Sequence, residues 1–177
     1  MRSDKDGVSW LTLNRPDKLN ALTVDVFKAL RAHVHDLQTD TSVRCVILRG
    51  AGRCFSAGHD LGDISEGEAV PSPGWHSETL RLLERLPKPV IAAVHGHCYT
   101  GALEVALAAD FILAAESAKF ADTHAKWALT PIWGMSQRLP RRIGIAAAKR
   151  LMFTAETVKA EAALGLGLCE AVYPEET

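Results

Sequence analysis

Two glycine-containing segments constrain this chain more than anything else in it: Phe55-Ser-Ala-Gly-His-Asp-Leu61 and Gly96-His-Cys-Tyr-Thr-Gly-Ala-Leu-Glu104. Each follows a short apolar run that reads as a buried strand, Cys45-Val-Ile-Leu48 before the first and Val90-Ile-Ala-Ala-Val94 before the second. A chain that turns at the ends of two buried strands can aim two backbone N–H groups at one point. That is the geometry needed to hold a negatively charged oxygen. Glu104 follows Gly101 closely enough to act on whatever is held there.

Around these segments, strand patterns alternate with helical ones. Val8–Leu13 has strand character and ends at the Asn14-Arg15-Pro16 turn. Thr23 can cap a helix running to about Gln38, with Val26, Phe27, Leu30, Val34 and Leu37 at helical spacing. Residues 43–48 read as a buried strand, and the polar, glycine- and proline-rich stretch 62–74 as a mobile loop. Residues 75–86 read as a helix with Leu80, Leu83 and Leu86 on one face, stopped by Pro87-Lys-Pro89. A strand at Val90–Val94, a small-residue helix over 101–109 and a strand over 110–115 follow. Residues 145–153 and 159–164 read as helices and 168–173 as a strand. The alternation predicts an α/β fold with a largely parallel sheet flanked by helices.

Composition bounds the function classes. At 177 residues, with 47% hydrophobic and 23% charged residues, the chain suits one globular domain with a proper core. A net charge of −1 gives no electrostatic reason to expect nucleic acid or an anionic membrane as partner. The four cysteines, Cys45, Cys54, Cys98 and Cys169, form no C-x-x-C pair, and Cys45 reads as a small core residue. A reducing, cytoplasmic compartment is the simpler expectation. The charged N-terminus shows no secretory signal, and no apolar run reaches the ~18 residues of a membrane span.

Five motifs in register resemble those of the crotonase family, also called the enoyl-CoA hydratase/isomerase family. Asn14-Arg-Pro-Asp-Lys-Leu-Asn-Ala-Leu22 is similar to the family's opening motif, Phe55 to Leu61 to its first oxyanion segment and Gly96 to Asp110 to its second. Phe120-Ala-Asp-Thr-His124 and residues 131–139 follow in family order. The resemblance covers nearly the whole chain. It implies a ββα superhelix, a single acyl-CoA-binding domain over residues 1–177, and a coenzyme A thioester as substrate with no other cofactor and no metal. Family members usually continue with helices that complete the acyl pocket and support trimer assembly. The chain ends at Thr177, before that segment, so a trimer or dimer of trimers is expected where the segment is present.

The resemblance also implies roles for particular residues. The oxyanion donors would be the backbone amides of His59 and Gly101. Glu104 would hold and activate water as general base. Its neighbours, Gly101-Ala-Leu-Glu-Val-Ala-Leu-Ala-Ala109, look buried all round, where a carboxylate is expensive unless hydrogen-bonded or functional. A second glutamate is expected where this chain has His124, the main departure from the pattern. An imidazole facing Glu104 is biased towards its charged form and can serve as general acid at the α-carbon. It can instead hold Glu104 or a polar acyl group, or mark a lost activity, and Asp122 is a possible substitute carboxylate. Coenzyme A contacts would come from Lys18 and Ala21 and from Ala57, Asp60 and Leu61, with Asp60 bracing the oxyanion turn.

Other patterns are weaker. Gly96-x4-Gly101 lacks the Lys-Ser/Thr of a P-loop, and there is no G-x-G-x-x-G. His33 and His35 sit two apart on a helix and so point in different directions, and His95 and His97 have no carboxylate or cysteine at metal-ligand spacing. Trp127, Trp133 and Met135 read as pocket wall or core. Three functions remain open at this point: an enoyl-CoA hydratase, a double-bond isomerase using Glu104 alone, and a non-catalytic acyl-CoA-binding protein.

Overall fold

The computed structural model describes residues 1–67 and 69–175. A six-stranded sheet forms its centre. Strands β1 (Arg2–Lys5), β2 (Val8–Leu13), β3 (Cys45–Gly50), β4 (Val90–Val94), β6 (Phe111–Ala115) and β9 (Ala171–Tyr173) lie in the order β1-β2-β3-β4-β6-β9. Every pairing is parallel except β1 with β2. A second, three-stranded sheet stacks β5 (His97–Tyr99), β7 (Lys119–Ala121) and β8 (Val158–Lys159). The expected α/β architecture with a largely parallel sheet is what the chain forms.

The helices follow from capping and periodicity. Helix α1 (Val24–Thr39) starts where the Thr23 hydroxyl accepts a hydrogen bond from the Val26 amide at 3.3 Å. Its Phe27, Leu30, Val34 and Leu37 are buried, as their spacing predicts. Helix α3 (Trp75–Glu84) packs against α1 through Leu80 and Leu83, both fully buried. Helix α4 (Gly101–Ala106) is buried along its whole length, three residues shorter than its apolar run because the chain turns at Leu107. Helices α5 (Met135–Ile143), α6 (Ile145–Thr154) and α7 (Ala160–Gly165) complete the chain's second half.

Several expectations are corrected. The stretch 62–74 is not a single loop: α2 (Leu61–Glu66) forms there, capped by the Asp60 carboxylate accepting from the Gly62 amide at 3.1 Å. Glu68, in the same stretch, lies outside the described residues. Strand β1 is absent from the apolar pattern because it is a polar edge strand, held to β2 through the Asp6-Gly7 turn. Cys45 is only half-buried, since at the start of β3 it is Val46 and Leu48 that face the core. Among the described residues, no helix is long and apolar enough to cross a membrane.

The turn that follows β3 is stapled from beneath by a buried side chain, Asn20. Its amide donates to the Ala51 and Cys54 carbonyls at 2.8 Å each, and its carbonyl accepts from the Arg15 amide at 2.8 Å. Asn20→Ala leaves these groups unpaired in a site that is 1% exposed. The expected loss is about 2–4 kcal/mol of unfolding free energy in urea titration. A loss under about 0.5 kcal/mol, the range of an ordinary surface change, would show that the staple is not needed.

Candidate active site

The segment after β3 runs alongside the turn that follows β2. Ala57 donates to the Leu19 carbonyl at 2.9 Å, Leu22 to Gly58 at 2.8 Å and Asp60 to Leu22 at 2.9 Å. The Gly58 carbonyl and the Asp60 amide therefore face Leu22. By alternation along an extended backbone, the His59 amide between them faces the opposite side. Gly58 has φ 107°, a conformation that L side chains rarely adopt, and its amide donates to the Ser56 hydroxyl at 3.1 Å. That hydroxyl in turn donates to the Asn20 carbonyl at 2.8 Å.

The second turn follows β5. Thr100 carries φ 54° and ψ −113°, a costly conformation for a β-branched residue. It is over-determined by its neighbours. The Thr100 amide donates to the Ala121 carbonyl at 2.8 Å, the Thr123 amide donates to the Thr100 hydroxyl at 3.3 Å, and the two threonine hydroxyls share a short hydrogen bond. Gly101 then opens α4. A Cβ placed there would sit 3.3 Å from the His59 nitrogen and 2.5 Å from Cζ3 of Trp133. The two amides foreseen as donors are thus neighbours, and the packing of the Trp133 ring over Gly101 leaves no room for a side chain there.

Glu104, one turn into α4, is 1% exposed. Its Oε1 accepts from the Trp133 amide at 2.8 Å and the Met135 amide at 2.9 Å. Burial pushes its carboxyl up to about 7, against the opposing pull of the Met135 amide, His124 and the Trp133 amide. Its other oxygen, Oε2, lies 3.9 Å from Nε2 of His124. His124 begins a short 3-10 helix and is itself buried. Its Nδ1 contacts Oδ1 of Asp122 at 2.5 Å, and its backbone amide donates to the same oxygen at 3.2 Å. Asp122 lies just past the end of β7, so its carboxylate turns onto the histidine instead of standing beside it on a strand face.

His59, Gly101, Glu104, His124, Leu129, Thr130, Ile132 and Trp133 enclose a cavity of about 220 Å³. The Trp133 ring forms one wall, packed 4.6 Å from His59, 4.7 Å from Phe27 and 4.9 Å from His76 between ring centroids. Arg138 holds the turn behind it, donating to the Trp133 carbonyl at 2.8 Å while pairing with Glu84. Met135 is core, but Trp127 is exposed and belongs to neither wall nor core. Lys18 and Leu61 are exposed and Ala21, Ala57 and Asp60 half-buried, along the two paired segments at the first turn and not in the cavity wall. Asp60 pairs with Arg15 at 3.0 Å, and that hydrogen bond holds its carboxyl below the usual range. Arg15, Asn20, Thr100, Thr123 and the amides of Trp133 and Met135 had no individual signal beyond lying inside the quoted motifs.

Similarity to known proteins shows the family and the fold. The family model for enoyl-CoA hydratase/isomerase matches residues 3–177, so the chain belongs to that family. It is 38% identical over 179 residues to a short-chain-enoyl-CoA hydratase of Clostridium acetobutylicum, covering 98% of this chain and 69% of the relative. It is 36% identical to a 1,2-epoxyphenylacetyl-CoA isomerase of Escherichia coli, covering 97% of this chain and 68% of that protein. The crystal structure of an enoyl-CoA hydratase from Bacillus anthracis superposes with a TM-score of 0.92 at 34% identity, over 99% of this chain and 70% of that one. The crotonase fold expected from the motifs is therefore the fold of this chain. The chain spans about two thirds of the length of the curated relatives it matches, 65–69% for the first three.

The buried Glu104 carboxyl has a consequence for stability. With its pKa raised from 4.5 to about 7, the folded state holds the proton more tightly than the unfolded state. That favours folding fully below the unfolded value and is lost as pH rises through about 7. Above it, the folded chain carries a buried charge at a cost of up to about 3 kcal/mol. Glu104→Gln keeps an acceptor for both amides and removes the charge. Denaturant titrations at about pH 5 and about pH 8.5 should therefore show the variant gaining on the parent at the higher pH. An identical difference at both would contradict the burial argument.

Proposed function

We propose that this chain hydrates 2-enoyl-CoA thioesters. The observation that carries the reading is the convergence in one cavity of two adjacent backbone amides, His59 and Gly101, with a buried carboxylate whose pKa is about 7. Adding water to an α,β-unsaturated thioester passes through an enolate-like state with negative charge growing on the thioester oxygen. The two amides would stabilise that charge, each contributing roughly 3–4 kcal/mol. Glu104 would take a proton from the attacking water as general base, and His124 would supply one to the α-carbon. Lys18 and Ala21, with Ala57, Asp60 and Leu61, would line the path of the coenzyme A moiety. Lys18 is exposed and could meet a phosphate by charge attraction.

Assembly and location belong to the same proposal. Where the further C-terminal segment is present, exposed Ile145 and Phe153 would be suited to contacts within a trimer. The four cysteines are free thiols, in keeping with a reducing cytoplasm.

The test is loss of the conjugated thioester absorbance of crotonyl-CoA. The chain should turn it over, with kcat/KM rising on the acid side through about pH 7 as Glu104 ionises. Glu104→Gln should lower kcat by about 10²–10⁴-fold. Gly101→Ala, whose Cβ collides with the Trp133 ring over the donor pair, should cost about 100-fold or more while still binding coenzyme A. Saturable crotonyl-CoA binding without turnover, or double-bond migration in a 3-enoyl-CoA without hydration, would sink the hydratase reading.

A further inference from the structure

Asp122 is a buried carboxylate that lies outside the cavity wall and that water addition as described leaves unused. It is 1% exposed, and its Oδ1 sits 2.5 Å from Nδ1 of His124. The opposite ring nitrogen, Nε2, points to the cavity side, 3.9 Å from Oε2 of Glu104. That gap is too long for a hydrogen bond and short enough for one water to touch both groups. A carboxylate on one face of an imidazole selects the tautomer with a proton on Nδ1 and stabilises the ring when Nε2 is also protonated. The placement is held by tertiary contacts: Thr123, between Asp122 and His124, bonds through its amide and hydroxyl to Thr100 in the oxyanion turn.

We propose that Asp122 is a positioning residue that makes His124 the proton carrier at the substrate α-carbon, so that this site works as a carboxylate–imidazole pair facing a single carboxylate. The inference rests on the acyl-thioester reading of the cavity. In the addition direction the water oxygen bonds to the β-carbon and one water proton passes to Oε2 of Glu104. The C=C electron pair moves through the α-carbon onto the thioester oxygen between the two amides. The enolate then collapses, and the α-carbon takes the proton from Nε2 of His124. The site is left with Glu104 protonated and His124 neutral. Passing that proton from Oε2 to Nε2 through a water restores the starting state, and the net change is one water added.

The groups around His124 that bear on its protonation are Glu104 from α4, Asp122 and Lys126 from its own segment, and His59 across the cavity. Lys149 and Arg150 lie on α6, which packs against this turn, and like Lys126 they are exposed. Of the two buried carboxylates, Asp122 is the nearer to the ring, at 2.5 Å against 3.9 Å for Glu104.

The probe is butyryl-CoA in D2O, because exchange of its α-proton reports proton transfer at the α-carbon with no water addition. The parent should exchange, and His124→Ala and Asp122→Asn should each slow exchange by about 100-fold with KM little changed. Glu104→Gln should retain exchange within about 10-fold. Exchange starts with neutral Nε2 taking the α-proton, so in Asp122→Asn the low-pH limb of exchange should move to lower pH, since the lost anion no longer favours the charged ring. In the parent itself, ¹⁵N-histidine NMR should show a proton on Nδ1 of His124. A parent without exchange, a ring protonated at Nε2 alone, an unmoved limb in Asp122→Asn, or exchange lost only in Glu104→Gln would each overturn the proposal. Exchange that depends on Asp122 without crotonyl-CoA hydration would instead sink the hydratase reading and leave the proton carrier in place. Hydration with α-exchange indifferent to Asp122 would do the reverse.

Discussion

The second half of this chain is organised around one buried carboxylate. Glu104 sits on a helix with no exposed residue, and a charge in such a place is tolerated only with hydrogen-bond partners. The partners come from 29 and 31 residues further on, the amides of Trp133 and Met135. Satisfying them fixes the turn before α5, which sets Trp133 against His59 and over Gly101. The same turn is anchored from outside by Arg138 and Glu84. One acceptor thus defines the floor, the wall and the buried carboxyl of the cavity together, at the expense of holding that carboxyl in a place that opposes its ionisation.

The two glycine turns are built on the same principle of over-determination. Neither is a rigid element in itself. The first depends on Asn20, Ser56 and the pairing of residues 57–60 with 19–22. The second depends on Thr100, strained in φ and ψ but tied to Ala121 and Thr123. Since Thr123 sits between Asp122 and His124, the ties that hold the second glycine turn also place the imidazole. The Gly101 turn and the Asp122–His124 contact are therefore held by one contiguous set of hydrogen bonds.

Much of the scaffold was legible because its elements obey local rules. Helix α1 announces itself through Thr23 and its apolar spacing, and the central strands through short β-branched and alanine runs. Legibility failed where neighbours decide the outcome. Strand β1 is polar and exists through pairing with β2. The short strands β5, β7 and β8 have three residues or fewer to show a pattern. Helix α2 forms from a glycine-containing stretch because Asp60 caps it. Trp127 looked like a pocket residue by type and lies on the surface.

By itself the sequence determined the kind of chain this is: an α/β domain of the enoyl-CoA hydratase/isomerase family, with two glycine turns at strand ends and a glutamate one helical turn beyond the second. These are local facts, since turn chemistry, strand runs and helix spacing act over a few residues. Tertiary structure alone decided which groups meet. That Asn20 lies beneath the first turn, that the Trp133 and Met135 amides face Glu104, and that Asp122 turns onto His124 instead of into the cavity depend on contacts between segments distant in sequence or on a single turn beyond a strand. The physical reason is burial. Removing polar groups from water obliges each to find a partner wherever the packed chain supplies one, and no periodicity encodes that choice.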